Sequence, residues 1–126
     1  FLNKKITKII KKKKIKVFLR SIFLQGILLE EFKNLNKFFL KWKNFFFNYY
    51  ECLTKNQISR IQFNINYALN TNPYGLILGI TNKKQLSEIL KTKRKKNIYF
   101  ERFKQYIPLD LIKPYKWPKK IYIKKK

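Results

Sequence analysis

Two segments of the sequence contain residue types that can bind phosphate, and the first begins at Arg20 and Ser21. An apolar run over residues 15–23, rich in branched and aromatic side chains, predicts a mostly buried β-strand, and Gly26 marks the loop after it. In α/β proteins, ligands bind at the carboxyl ends of such strands, where a hydroxyl and free backbone N–H groups can hold a phosphate. From these residues alone, a strand followed by an ordinary loop is the simpler interpretation.

The second segment covers residues 76–90 and has the sequence LILGITNKKQLSEIL. It predicts a short strand, a glycine turn and a helix whose N-cap is Thr81 or Asn82. A helix N-terminus offers unpaired N–H groups and a partial positive charge, which suit a phosphate. Lys83 and Lys84 in the first turn oppose the helix dipole, and a bound anion would offset that cost. A plain capped helix is again the simpler interpretation.

The residues that are present exclude several kinds of site. The chain has no His and a single Asp, Asp110, which excludes a Ser/His/Asp triad, a His-ligated zinc site and a paired-Asp metal site within it. Its one Cys excludes an intrachain disulfide and is typical of a reducing compartment. Tyr67 and Tyr74 could act as general acids, but their positions favour the core, so no catalytic residue is assigned. Because Met is absent and Phe1 comes first, we expect a piece of a longer protein.

The net charge of +25, from 31 Lys plus Arg against 6 Asp plus Glu, has two explanations. Lys, Ile, Asn, Phe and Tyr dominate the composition and are encoded by A/T-only codons, so an A/T-rich genome would produce such a chain without selection. Arg, the side chain that grips phosphates and bases bidentately, is rare here. A basic module that binds nucleic acid through non-specific phosphate contacts remains the alternative function, with lysine runs at 11–14, 91–96 and 124–126.

The periodicity of the apolar residues predicts an α/β protein. We expect helices over residues 2–10, 35–53, 59–70, 82–90 and 99–107, strands over 15–23 and 74–80, and an extended basic tail over 108–126 that contains Pro108, Pro114 and Pro118. The helix over 35–53 has a heavy aromatic stripe. Strands that alternate with helices favour a parallel sheet, but two buried parallel strands need neighbours. The pattern therefore indicates a piece of a larger α/β fold.

No segment is apolar enough over about 20 residues to predict a membrane span, and no secretory signal is visible, so we expect a cytoplasmic protein with no membrane partner. A peripheral membrane or interaction protein is a third possibility, which would depend on the aromatic and basic residues 34–50. The oligomeric state cannot be predicted from these patterns.

Taken in order, these motifs resemble the C-terminal part of the aldo/keto reductase family, in particular bacterial members found with polysaccharide biosynthesis. A segment like RSIFLQGILL, which starts at Arg20, follows the seventh barrel strand in that family, and one like LILGITNKKQLSEIL forms the strand, turn and helix at the eighth. Between them, Ser59-x-x-Gln62 and residues 67–69 look like the helix before the last strand. The sequence LIKP with Trp117 looks like the end of the family's tail. The resemblance covers nearly all of the chain but only about the last two-fifths of such an enzyme.

The resemblance implies a C-terminal fragment of a (β/α)₈ TIM barrel over residues 1–107 and a tail over 108–126. It further implies that the complete protein binds NADP(H) and reduces a small carbonyl substrate, with the family's catalytic residues in the part of the barrel that precedes these strands. Ser21, Leu24 and Gly26 would line the cofactor pyrophosphate, and Arg20 would stack on the nicotinamide. The residues implied for the adenosine ribose and its 2′-phosphate are Gly79, Thr81, Asn82 and Gln85.

Two departures from the family pattern bear on which cofactor is bound. Ile89 replaces the Asn that commonly contacts adenine, and Gly79 replaces the Lys that some members use on the 2′-phosphate. Lys83 or Lys84 could take over the second role. The resemblance therefore leaves open the choice between NADPH and NADH, and the identity of the carbonyl substrate.

Overall fold

The computed structural model describes residues 4–95, 98, 100, 103 and 107–122, and these residues form a mixed α/β arrangement. The helices are α1 (Lys4–Lys12), α2 (Lys43–Asn56), α3 (Arg60–Leu69) and α4 (Lys83–Lys91), and the strands are β1 (Phe18–Arg20) and β2 (Gly75–Ile77). Short 3₁₀ helices span Ile27–Leu29, Phe32–Asn34, Lys37–Trp42, Pro114–Lys116 and Lys119–Tyr122. In the described part of the chain, no helix is long and apolar enough to cross a membrane.

The two strands lie side by side and parallel, which confirms the prediction of a parallel α/β sheet. Phe18 pairs with Gly75 and Arg20 pairs with Ile77, so the carboxyl ends of β1 and β2 meet at the same edge. Each strand has only three residues, and both are shorter than the predicted ranges 15–23 and 74–80. The prediction of a mostly buried first strand is wrong, since Phe18 is 51% exposed. In the described residues each strand has one neighbour, which leaves its other edge and part of its faces uncovered.

The aromatic stripe forms the main core, although the predicted single helix over 35–53 is divided. It begins as the 3₁₀ helix Lys37–Trp42, capped by the Asn36 side chain, and continues directly into α2. Phe46, Tyr49 and Phe63 are fully buried at the centre of this core. Within residues 34–50, these buried rings form the core, whereas Phe47 is 56% exposed.

The junction between α2 and α3 follows the sequence closely. α2 ends at Asn56, and Gln57 takes the left-handed conformation with φ of 49°. The predicted capping box is present, since the Ser59 Oγ accepts a hydrogen bond from the Gln62 N–H at 3.2 Å and the Ser59 N–H donates to Gln62 Oε1 at 3.3 Å. This cap fixes where α3 begins and how it packs on α2.

The C-terminal segment differs from the extended tail that its prolines predict. Pro114 and Pro118 each lie at or just before the start of a short 3₁₀ helix, where a fixed φ is compatible with a turn. Leu111 and Trp117 are buried in the main core, and the Trp117 ring packs edge-on against Phe39 at 4.9 Å. The helix predicted over 99–107 falls largely outside the described residues.

The inward face predicted for α4 is partly wrong. Ile89 packs against a smaller second cluster built on Phe23, Ile61 and Ile65, as expected. Leu90, however, is 75% exposed, and Leu86 is also exposed. Within the described ranges the sheet has two strands, which leaves α4 little surface on which to bury a wider apolar face.

We predict that Tyr49 makes the fold sensitive to alkali. Burial raises the pKa of Tyr49 well above its usual range, although a hydrogen bond from Asn64 Nδ2 at 2.7 Å acts the other way. The hydroxyl donates to the Leu28 carbonyl at 2.9 Å. The stabilisation from this buried neutral form is complete below the unfolded-state pKa of about 10 and is lost as pH rises above it.

The measurement is urea denaturation of the parent chain and Tyr49→Phe at pH 8 and above pH 10. The variant should lose less stability between the two pH values than the parent does, although it starts lower because a buried hydrogen bond is missing. Burial also raises the pKa of Tyr50 and Tyr67, so some alkaline loss should remain in the variant. An equal loss in both proteins would show that Tyr49 is not a source of the effect.

Candidate phosphate-binding cleft

An open cleft of about 1330 Å³ lies beside the carboxyl ends of β1 and β2. The loop after β1 forms one wall, and the turn between β2 and α4 forms another. The parallel register brings these two loops together, because Arg20 pairs with Ile77 and each loop begins with the next residue. The cleft is therefore at the edge of the sheet where ligands bind in open and closed α/β folds.

Seven of the eight predicted cofactor-binding residues line this one cleft. They are Arg20, Ser21, Gly26, Gly79, Thr81, Asn82 and Gln85. The eighth, Leu24, is buried in the main core instead. The pairing of two short strands thus brings together two groups of these residues that are at least 53 positions apart in the chain.

The loop after β1 has an unusual backbone. Ser21, Leu24, Gln25 and Gly26 all have positive φ, at 57°, 48°, 57° and 87°, and only the last is a glycine. Non-glycine residues in this region carry a cost, and such strain is concentrated at functional sites. The Leu24 N–H donates to the Ser21 carbonyl at 2.8 Å and the Gly26 N–H to the Phe23 carbonyl at 2.9 Å. Those two N–H groups hold the loop in shape rather than facing a ligand.

The turn before α4 is held by a small polar network. Asn82, one of the two predicted N-cap residues, accepts a hydrogen bond from the Gln85 N–H at 2.8 Å. Gln85 Oε1 in turn accepts from the Thr81 N–H at 2.8 Å and from the Thr81 hydroxyl at 3.0 Å. These hydrogen bonds occupy part of the polar groups of Thr81, Asn82 and Gln85. The main effect of the three side chains is therefore to fix the N-terminus of α4 at the wall of the cleft.

Gly79 leaves open space in the cleft wall. A Cβ at this position would meet no atom of the described part of the chain within 4 Å, and the backbone there is not in the left-handed region. The fold itself therefore does not require a glycine. A glycine at this point does allow a ligand to approach the backbone closely, which a side chain would prevent.

The charges around the cleft are nearly balanced. Three cationic side chains, Arg20, Arg60 and Lys84, and two anionic ones, Glu30 and Glu88, line it. Arg20 is at the end of β1 and Lys84 is in the first turn of α4, whereas Lys83, in the same turn as Lys84, is not part of the cleft wall. The large positive charge of the chain is thus a property of its outer surface, and any phosphate site here depends on individual cations.

Sequence reasoning did not place the start of α3 at this cleft. Ser59 and Arg60 both line it, and the Ser59 hydroxyl donates to Glu88 Oε1 on α4. The capping box predicted from the sequence explains why Ser59 is there, but only the packing of α3 on α4 shows that the cap faces the cleft. The Ser59–Glu88 bond links the start of α3 to α4 at the cleft wall.

Neither of the two tyrosines that could act as general acids belongs to the cleft. The Tyr67 hydroxyl is buried beside Phe103, away from the cleft lining, and has no hydrogen-bond partner among the described residues. Tyr74 is 61% exposed and packs edge-on against Phe18, so the prediction that it lies in the core is wrong.

Comparisons with family models, curated proteins and solved structures gave no match to the chain. Among the described residues, no cluster of metal-ligating side chains is present.

Proposed function

We propose that the chain forms the last two strand-and-helix units of an aldo/keto reductase-like (β/α)₈ barrel and carries part of an NADP(H)-binding face. The observation that carries this proposal is the shared cleft. The two loops that resemble the family's cofactor loops follow adjacent parallel strands and line one surface. A barrel requires this geometry for its seventh and eighth strands, and an antiparallel pair would have separated the loops.

The surface of the small sheet supports the barrel part of the proposal. Phe18 and Ile77 are 51% and 59% exposed, and Ile15 and Ile80 beside them are also exposed. Strands of a parallel sheet are normally covered on both faces and paired on both edges. Neighbouring strands of a barrel would cover these side chains and pair with the open edges of β1 and β2.

The residues at the cleft fit a dinucleotide in three respects. Ser21 is exposed on the strained loop and offers a hydroxyl to the pyrophosphate. Gly79 leaves room for close approach, and the N-terminus of α4 with Lys84 offers positive potential to the 2′-phosphate. Ile89 packs in the second cluster rather than at the cleft, so this chain gives adenine no partner at that position.

In this proposal the chain binds and orients the cofactor but does not complete the chemistry. Bound NADPH would supply a hydride to a small carbonyl substrate. Arg20, an exposed residue at the end of β1 that lines the cleft, would stack its guanidinium on the nicotinamide ring. Protonation of the carbonyl oxygen needs a general acid, and none is assigned to this chain.

The proposal predicts that the Ser21 hydroxyl contributes to NADPH affinity. Loss of one hydrogen bond to a charged phosphate should raise the Kd of Ser21→Ala roughly tenfold or more. Ser21→Gly is the matched control for backbone strain, because glycine removes the hydroxyl but suits the positive φ at this position. The measurement is the fluorescence of NADPH during titration with each protein. If Ser21→Gly binds NADPH as the parent does, the hydroxyl makes no contact with the cofactor.

A second candidate function is non-specific binding of a polyanion, which the exposed lysines favour. Arg94, the arginine within the lysine run at 91–96, donates to the Leu69 carbonyl at 3.2 Å and to Asn72 Oδ1 at 2.8 Å. Because these hydrogen bonds fix its guanidinium within the protein, Arg94 is poorly suited to bind base edges. Lysine ammonium groups contact phosphates as point charges and carry no sequence information.

We therefore predict that duplex DNA binds without sequence preference and that its affinity falls steeply with salt. Counterion release should lower the affinity by on the order of a hundredfold or more between 50 and 200 mM salt. The measurement is fluorescence anisotropy with two labelled duplexes of different sequence. Sequence-selective binding that persists at high salt would make nucleic-acid recognition the better proposal for this chain.

A further inference from the structure

Helix α1 has an apolar side that the fold does not use. Ile6, Ile9 and Ile10 recur at helical spacing and share one face of Lys4–Lys12. Ile6 and Ile9 are each 46% exposed, and none of the three belongs to either core cluster. An amphipathic helix with half its apolar face in water gains little from packing on the rest of the chain.

The opposite face of α1 is strongly cationic. Lys8, Lys11 and Lys12 are exposed there, and the lysine run continues through residues 13 and 14. No Asp or Glu precedes Glu30, so the first 29 residues carry only positive side-chain charge. This composition, an isoleucine face with a lysine face and no acidic residue, is typical of helices that lie in the surface of an anionic bilayer.

We infer that α1 binds the surface of an anionic lipid bilayer, with its isoleucine face among the acyl chains and its lysines at the headgroups. The charge of the segment selects an anionic partner, and the exposed isoleucines favour lipid over nucleic acid, because a phosphate backbone would leave an apolar face in water. The helix is about two and a half turns long, so it lies on the membrane rather than across it. No residue of α1 lines the cofactor cleft, but the inference competes with the barrel part of the proposal, in which α1 would belong to the outer ring of helices and its isoleucine face would be covered by the barrel.

The test is sedimentation of the full chain with vesicles of phosphatidylcholine alone or mixed with phosphatidylglycerol. The parent should bind the mixed vesicles and bind phosphatidylcholine weakly. The double variant Ile6→Gln/Ile9→Gln keeps every charge and should bind the mixed vesicles at least about tenfold more weakly. Its matched control is Leu90→Gln/Leu109→Gln, which removes two leucines that are 75% and 65% exposed outside α1 and should change binding less than about twofold.

A second pair of variants tests the charge. Lys8→Glu/Lys12→Glu should lower vesicle binding at least about tenfold, whereas Lys83→Glu/Lys84→Glu, with the same change in net charge, should lower it much less. Circular dichroism of each variant checks that it is folded, and the second pair remains informative if the isoleucine variant does not fold. Equal losses for both lysine variants, or full binding by a folded isoleucine variant, would show adsorption by net charge alone and overturn the inference. If Ile6→Gln/Ile9→Gln lowered the thermal stability but left vesicle binding unchanged, the isoleucine face would belong to a protein interface. That result would also overturn the inference.

Discussion

Replacing Phe63 by Ala is expected to lower the free energy of unfolding by about 3–5 kcal/mol, the range for removing a large ring from a filled core. Phe63 is fully buried and packs edge-on against Tyr49 at 5.5 Å, Phe100 at 5.3 Å and Phe103 at 5.3 Å. These rings come from segments far apart in the sequence, so the cavity would be lined by side chains that cannot all close around it. A loss of this size is comparable to the whole stability of a marginal domain, about 5 kcal/mol.

The measurement is urea denaturation of the parent and variant, followed by circular dichroism. Phe47→Ala provides the control, because Phe47 is 56% exposed and packs against Phe32 at a ring distance of 5.4 Å. It should cost about 1 kcal/mol or less. Similar losses for the two variants would mean that Phe63 is not at the centre of a well-packed core.

The helices and their boundaries were the part of the fold that the sequence predicted best, because their signals are local. Ser59 and Gln62 are three residues apart and form the capping box themselves, and the aromatic spacing before Asn56 determines which face of α2 is buried. The parallel pairing of β1 and β2 also followed from the alternation of strands and helices. The lengths of the strands did not, because the extent of a strand depends on its neighbours, and each strand has a single neighbour in the described residues.

The C-terminal segment shows where local signals are insufficient. Pro114 and Pro118 exclude a long helix, but they are equally compatible with extended chain and with the first position of a 3₁₀ turn. The contact of Trp117 with Phe39 decides between the two, and it joins residues 78 positions apart. No periodicity within residues 108–122 contains that information.

The candidate site was predicted as two loops, and its shared cleft follows from the strand register. The sequence could not show that Leu24 turns into the core, because an apolar residue in a loop can face either way. It also could not distinguish Lys83 from Lys84, which are adjacent, equally charged and in the same helical turn. Only the direction in which each side chain leaves α4 places Lys84 at the cleft wall and Lys83 outside it.

This difference gives the sharpest test of the proposed cofactor site. Lys84→Glu should raise the Kd for NADPH on the order of 10- to 100-fold, because it replaces an attractive charge beside the 2′-phosphate with a repulsive one. The Kd for NADH, which lacks that phosphate, should change by less than about threefold. The measurement is titration of the parent and variant with each reduced cofactor, followed by cofactor fluorescence at constant ionic strength.

Lys83→Glu is the matched control, since it changes the net charge and the charge at the N-terminus of α4 by the same amount. If the cationic surface of the chain attracts NADPH without a site, the two variants should weaken NADPH equally, and their effects should disappear together as salt is raised. If Lys84 contacts the 2′-phosphate, Lys83→Glu should weaken NADPH less than about threefold, because an exposed charge outside the cleft is screened within about 10 Å. Equal effects of the two variants would show that the N-terminus of α4 does not bind the 2′-phosphate. If Ser21→Gly also bound NADPH as the parent does, the proposal of a cofactor site would fail, and only the parallel pairing of β1 and β2 would remain.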